Sequence, residues 1–175
     1  MNNYPWYELI EDSDEIAQGD ILLHCPVAVL SNCDIENDKI NSEIYDVDGI
    51  IMTQACDIAN HKVENVILCA ITSVADYSKD RNVKEVKKSL DSIKKGQQNA
   101  LHIINHYNKE DFQQDYYIVN FKDIFSIPIV LARKVAKNNG RRLRLLPPYR
   151  EHLSQAFARY FMRVGLPVDI NLDEK

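Results

Sequence analysis

The stretch Gly49-Ile50-Ile51-Met52-Thr53-Gln54-Ala55-Cys56-Asp57-Ile58-Ala59-Asn60 constrains the fold more than any other, because it runs an apolar strand into a cluster of reactive side chains. Gly49 punctuates the start, and Ile50, Ile51 and Met52 read as a buried β-run. Thr53, Gln54, Cys56, Asp57 and Asn60 then crowd the strand end and the turn after it, where a scaffold displays chemistry. A second apolar run, Val66 to Ser73, follows within a few residues. The pair reads as adjacent strands joined by a polar loop, with Cys56 and Asp57 at the rim.

The chain has 175 residues, enough for one domain, 1–175, to bury a core without staples. No apolar run approaches the roughly 20 residues of a membrane-spanning helix. The start Met1-Asn2-Asn3-Tyr4-Pro5-Trp6-Tyr7-Glu8 lacks the basic and apolar regions of a signal peptide. A cytoplasmic location with no membrane association is expected, and Cys25, Cys33, Cys56 and Cys69 are expected as free thiols.

Charge is segregated. Residues 1–65 carry two Lys against fourteen acids, a net of 2 − 14 = −12, whereas residues 133–163 carry nine Lys or Arg against Glu151, a net of 9 − 1 = +8. Either the halves neutralise each other, or the basic C-terminal segment faces an anionic partner such as nucleic acid. The sequence pI of about 5.5 favours the first reading over a duplex binder.

Along the chain, Ile21–Leu30 reads as a strand that Pro26 bends or confines to an edge. Residues 31–48, rich in Asn, Asp and Ser, read as a loop. Apolar positions from Val83 to Ile104 recur at three and four, which predicts one long inserted helix over 81–107 with Gly96 as its weak point. Segments 116–121 and 127–131 are further strand candidates. Asn138-Asn139-Gly140 predicts a hairpin turn between 129–136 and 141–146. Pro147-Pro148 opens a final helix over 149–164, with Leu153, Ala156 or Phe157, Tyr160 and Val164 as its buried stripe. His152, Arg159 and Arg163 share another face, and Gly165 and Pro167 end the helix.

Several residue sets resemble known families. Gln18-Gly19-Asp20-Ile21-Leu22, the Gly49–Asn60 stretch and Asn65–Ser73 together resemble the opening of the MazF, PemK and Kid toxins, over about the first 75 residues. The resemblance implies an SH3-like barrel, with strands about 19–75 and 115–146, that cleaves single-stranded RNA without metal. Those toxins use an Arg in an Arg-Pro pair at the head of the second strand and a Thr in the third. Here the second strand opens Asp46-Val47-Asp48-Gly49-Ile50, so the arginine is missing, while Thr72 stands where the family threonine would. Without a cation the developing phosphorane charge loses its main stabiliser, unless an Arg of the final helix substitutes in space. The Thr53–Asp57 segment combined with Leu146–Pro167 also resembles a group of uncharacterised bacterial proteins, which implies no activity.

The residue types present bear on two further chemistries. Cys56, Asp57, His152 and Glu151 contain the residue types of a Cys–His–acid hydrolase, although a carboxylate beside a thiol disfavours the thiolate. The plain alternative has Cys56 filling a small pocket and Asp57 capping the next turn. A zinc site of Cys56 and His61 with Cys69 or Cys33 lacks a Cys-x-x-Cys pair, and His102 with His106 falls on the polar side of the predicted helix. No metal and no cofactor is expected.

The expectation is an α+β domain: a bent antiparallel sheet or SH3-like barrel, an inserted helix and a C-terminal helix. Its function is expected to be that of an interaction or regulatory protein in a toxin–antitoxin or phage-defence system, with a protein partner or a homo-oligomer. The alternatives are a MazF-like RNA endonuclease and a Cys56–His152 hydrolase. Catalytic candidates are Cys56, Asp57, His152 and Thr72, and partner- or anion-binding candidates are Gln54, Arg150, Arg159 and Arg163.

Overall fold

The computed structural model describes residues 4–34, 39–109 and 112–162. Its strands and helices run in the order β1 (Tyr7–Ile10), β2 (Ile21–Asp34), β3 (Lys39–Ile51), α1 (Ala55–Ala59), β4 (Asn65–Ser73), α2 (Val74–Ser78) and α3 (Val83–Lys94). They continue with β5 (Leu101–Ile104), β6 (Tyr107–Lys109), β7 (Phe112–Gln114), β8 (Tyr117–Pro128), α4 (Ile129–Asn139), β9 (Arg142–Leu145) and α5 (Tyr149–Phe161). A five-stranded antiparallel sheet in the order β2-β3-β4-β8-β5 forms the centre, while β1 pairs with β9 and β6 with β7. The chain is α+β, and the strands read at Ile21–Leu30, at Ile50 and Ile51, and at Val66–Ser73 lie in one sheet, within β2, β3 and β4, while Met52 to Gln54 fall beyond the strand end. The sheet is open, with β2 and β5 at its edges, and no closed barrel forms among the described residues.

The near-continuous apolar runs of β3 and β4 arise because the middle of the sheet is covered on both faces. Leu22, Ile51, Leu68 and Val66 point to one face, where they pack with Ala132 and Val135 of α4 and with Ile58 of α1. Ile21, Ile50, Cys69 and Ile71 point to the other, where they pack with Phe121, with Leu143 and Leu145 of β9 and with Leu153 of α5. Gly49 sits where β3 first meets β4: a Cβ there would lie 2.4 Å from the Leu68 side chain.

Three expectations need correction. The helix over 81–107 ends at Lys94, because Gly96 takes φ +68 and the amides of Gly96 and Gln97 bond back to the carbonyls of Ile93 and Ser92, a glycine stop of Schellman type. The apolar positions beyond it belong to β5, paired with β8, so His102 and His106 do not share a helix. Residues 31–48 are not a loop in the part described: β2 and β3 extend into a long ribbon whose pairs run out to Asp34 and Lys39. It shows no apolar alternation because both its faces meet water. Asn138-Asn139-Gly140 closes a helix rather than turning a hairpin, since 129–139 is α4 and β9 pairs with β1. The Asn139 amide bonds to Leu23 N and O at 2.8 and 3.0 Å, taking a strand's place at the irregularity between Leu22 and Cys25.

The N-terminal acids and the arginines before the final helix meet at Asp20. Its carboxylate is fully buried and accepts from Arg142 Nε at 2.8 Å, from Arg144 Nε and Nη2, and from Ala17 N at 3.1 Å. Arg142, also buried, donates from Nη1 to the carbonyl of Glu11 and from Nη2 to those of Asp14 and Glu15. Gly19 makes the approach possible: with φ +88 it bonds Ile51 O through its amide and Leu145 N through its carbonyl, and a Cβ would lie 2.9 Å from Leu145 O. Removing one partner of such a pair leaves an uncompensated buried charge. Asp20→Asn is therefore expected to cost about 3–5 kcal/mol in urea unfolding, whereas Lys79→Ala, which breaks the exposed pair with Asp76, leaves the midpoint almost unmoved.

Candidate functional site

The site begins where β3 ends. Met52 N donates to Ile67 O at 2.8 Å and Thr53 Oγ1 accepts from Ile67 N at 2.7 Å, so the chain stays anchored on β4 for two residues past the strand. Gln54 then turns it into α1, which sinks Ile58 into the core and leaves Cys56 exposed. Asn60 Nδ2 donates to Cys56 O at 2.6 Å and closes that short helix.

Opposite this turn lies α5. Burial of Leu153, together with Ala156, Phe157 and Tyr160 against the same core, fixes the helix's rotation. Positions one turn apart, Glu151, Ser154 and Gln155, then face the strand end. With Gln18, Gln54 and Cys56 they line an open groove of about 410 Å³. Gln18 is the strut: its Nε2 donates to Met52 O and to Ser154 Oγ, each at 3.1 Å, and Ser154 Oγ donates to Arg150 O at 3.0 Å. The turn singled out in the sequence and the final helix do converge, through residues at opposite ends of the chain.

The groove is polar and offers few charges. Cys56 Sγ has Gln54 Oε1 at 3.6 Å and Asp57 Oδ1 at 3.8 Å as partners, both oxygens. Asp57 approaches Lys62 Nζ at 4.0 Å, and no side-chain bond caps α1 at Gln54. Burial alone would push Glu151 up, but the bonds from Arg150 Nε and Nη2 to Oε1, at 3.2 and 2.7 Å, hold its carboxyl below the ordinary range. Its Oε2 is buried without a hydrogen-bond partner.

The other expected site residues lie elsewhere. His152 and Arg159 occupy the next flank of α5, in a separate cleft of about 560 Å³ that includes Lys94, Lys95 and His102, beside the Trp6–Tyr149 stack with ring centroids 3.6 Å apart. Arg159 is exposed and bonds Gln155 Oε1 at 3.2 Å. Gln155 borders both hollows, but His152 does not line the one that holds Cys56. Thr72 is exposed near the far end of β4, opposite Ile118, five residues and therefore roughly 16 Å of strand from Ile67. Arg163 lies outside the described residues. Sequence reasoning passed over Gln18, Ser154 and Gln155, although the spacing of Glu151, Ser154 and Gln155 marks one helical face.

His102 is half-buried in β5 and stacks near Phe121, while His106 tilts against Tyr116. Among the described residues no group of three His, Cys, Asp or Glu side chains is placed to hold a metal ion. No protein-family model matches the chain, and no curated protein matches it.

Burial pushes the Cys25 thiol up to about 11 and Cys69 to about 12. Iodoacetamide on the native protein is therefore expected to label Cys56 well ahead of Cys25 and Cys69, as read by peptide mass spectrometry, and His152→Ala should leave the Cys56 rate unchanged. Burial, with the nearby His152 adding to it, also lowers His102 from 6.5 to about 4. Between those values the unfolded chain takes up a proton that the folded chain refuses, so stability falls as pH drops through that window. The melting temperature should decline accordingly, and His102→Phe should flatten the decline.

Proposed function

We propose that this chain is a cytosolic bacterial interaction or regulatory protein, which receives a protein partner at the groove between the Gln54–Asp57 turn and α5. The observation that carries the reading is the composition of that groove. Amides, a hydroxyl, a thiol and the Glu151 carboxylate, which Arg150 holds, converge from three distant segments on an open hollow, and the contacts of the Cys56 sulfur are oxygens rather than an imidazole. Such a set orients a hydrogen-bonding ligand but does not generate a nucleophile.

The distribution of cations supports the same reading. The acids of the N-terminal segment are met by Arg133, which pairs with Glu15 at 2.9 Å, and by Arg142 and Arg144 at Asp20. Among the described residues the final helix contributes no carboxylate pair to that half: Arg150 is matched by its neighbour Glu151, and Arg159 by an amide. Arg159, in the neighbouring cleft that shares Gln155 with the groove, is therefore left to face an anionic group of the same partner, while Gln54 meets it inside the groove, and Arg150 and Arg163 are further cations of the same segment.

The exposure of Cys56 favours a Cys-dependent hydrolase as the second reading, with Glu151 rather than His152 across the groove. A MazF-like endonuclease rests on the resemblance of the Gln18–Leu22, Gly49–Asn60 and Asn65–Ser73 segments, as does a place in a toxin–antitoxin or phage-defence system. Binding by the tagged chain in its native cell extract tests the order. Gln54→Ala and Arg159→Glu are expected to lose the co-purifying partner while moving the melting temperature little, and the wild-type protein should turn over neither single-stranded RNA nor activated esters. Turnover abolished by Cys56→Ser would put the hydrolase first, and RNA cleavage abolished by Thr72→Ala would put the endonuclease first.

A further inference from the structure

Among the described residues two apolar surfaces stand unpartnered, and they carry opposite charge. The first is the outer part of the β2–β3 ribbon. β3 pairs with β4 only over Gly49–Ile51, and β2 is a sheet edge, so the ribbon beyond about Val27 and Val47 has no third strand. Cross-strand alternation puts Ala28, Leu30 and Ile44 on one face, and Leu30 and Ile44 are 63% and 75% exposed. Val29 and Tyr45 show on the other face. From Ile21 to Gly49 the sequence sets Asp34, Glu36, Asp38, Glu43, Asp46 and Asp48 against Lys39. An isolated two-stranded ribbon is marginal in water, and open edges bearing bare aliphatic side chains invite a protein partner.

The second surface is a groove of about 640 Å³ along α3, walled by Val83, Val86, Leu90 and Tyr116, with Lys87 and Lys94 at its rim. Val83 is 82% exposed. Residues 83–95 hold five Lys against Glu85 and Asp91. This groove lies apart from the Gln54–Gln155 hollow, with which it shares no residue.

We propose that the α3 groove receives the acidic, aliphatic β2–β3 ribbon of a second copy, and that two chains exchange ribbons about a two-fold axis. Leu30 and Ile44 would enter the apolar trough, and Asp46, which alternation puts on the same face as Ile44, would meet Lys87 and Lys94. Charge complementarity between two surfaces of one sequence selects a second copy as the occupant, because any copy that offers the ribbon also offers the groove. Reciprocal exchange closes after two chains and leaves neither surface exposed, whereas one-way insertion continues into a polymer.

Analytical ultracentrifugation of the full chain tests this. The wild type is expected to sediment at twice the mass of one chain. Ile44→Asp should give monomers, and so should the pair Lys87→Glu with Lys94→Glu, each with a folded circular-dichroism spectrum. Adding Asp46→Lys to that pair restores opposite charges across the contact, and the dimer should return. A wild type that stays monomeric at the highest soluble concentration overturns the proposal. So does a dimer that survives both Ile44→Asp and the lysine pair, a charge-reversed chain that fails to re-associate, or a wild type that polymerises without stopping at two.

Discussion

The carboxylate of Asp20 is the point on which the arrangement turns. Burying a charge is costly unless every oxygen is met, and here two guanidiniums and one backbone amide meet both oxygens. Arg142 in turn is satisfied by three carbonyls of the segment that precedes Asp20. The pair thus folds residues 11–20 onto β9, and β9 with β1 covers one face of the sheet. Well-packed apolar residues can match such a pair in stability, so its main consequence is positional. With Asp20 fixed, Gly19 bonds Ile51 and Leu145, and Gln18, one residue earlier, reaches Met52 and Ser154. The end of β3 and the final helix are held together through three consecutive residues.

That linkage explains how a groove can form from segments so far apart in sequence. The strand end supplies Gln54 and Cys56, the helix supplies Glu151, Ser154 and Gln155, and Gln18 spans them. It also resolves the charge segregation. Arginines in α4 and β9 neutralise the acidic N-terminal segment, and the final helix, which looked equally able to do so, turns its cations elsewhere. A total of charges per segment could not distinguish these outcomes, because Arg142 and Arg159 count alike while one is buried and the other exposed.

The parts legible in the sequence were those where burial writes a dense signal. Ile50-Ile51 and Leu68–Ile71 are apolar on successive residues because both faces of the sheet are covered there. The exposed ribbon left no such mark, and polar residues 31–48 read as a loop. Gly96 was visible as a weak point, but the apolar spacing ran on through it, since Leu101, Ile103 and Ile104 serve a strand edge as well as a helix face. Asn-Gly fits both a hairpin turn and a helix stop, and only the neighbour of β9 decides between them. At the site, the turn and the helix were both picked out, yet the helix face was chosen by its charges, His152 and Arg159. Burial of Leu153 sets the rotation instead and brings Glu151, Ser154 and Gln155 to the turn.

Cys56 faces the Glu151–Ser154–Gln155 side of α5. Oxidative cross-linking measures it directly, with Cys25, Cys33 and Cys69 replaced by Ala so that Cys56 is the single native thiol. A cysteine introduced by Ser154→Cys is predicted to form an intramolecular disulfide with Cys56 under mild oxidant, while one introduced by His152→Cys forms none. Cross-linking through position 152 and not through position 154 would contradict the account.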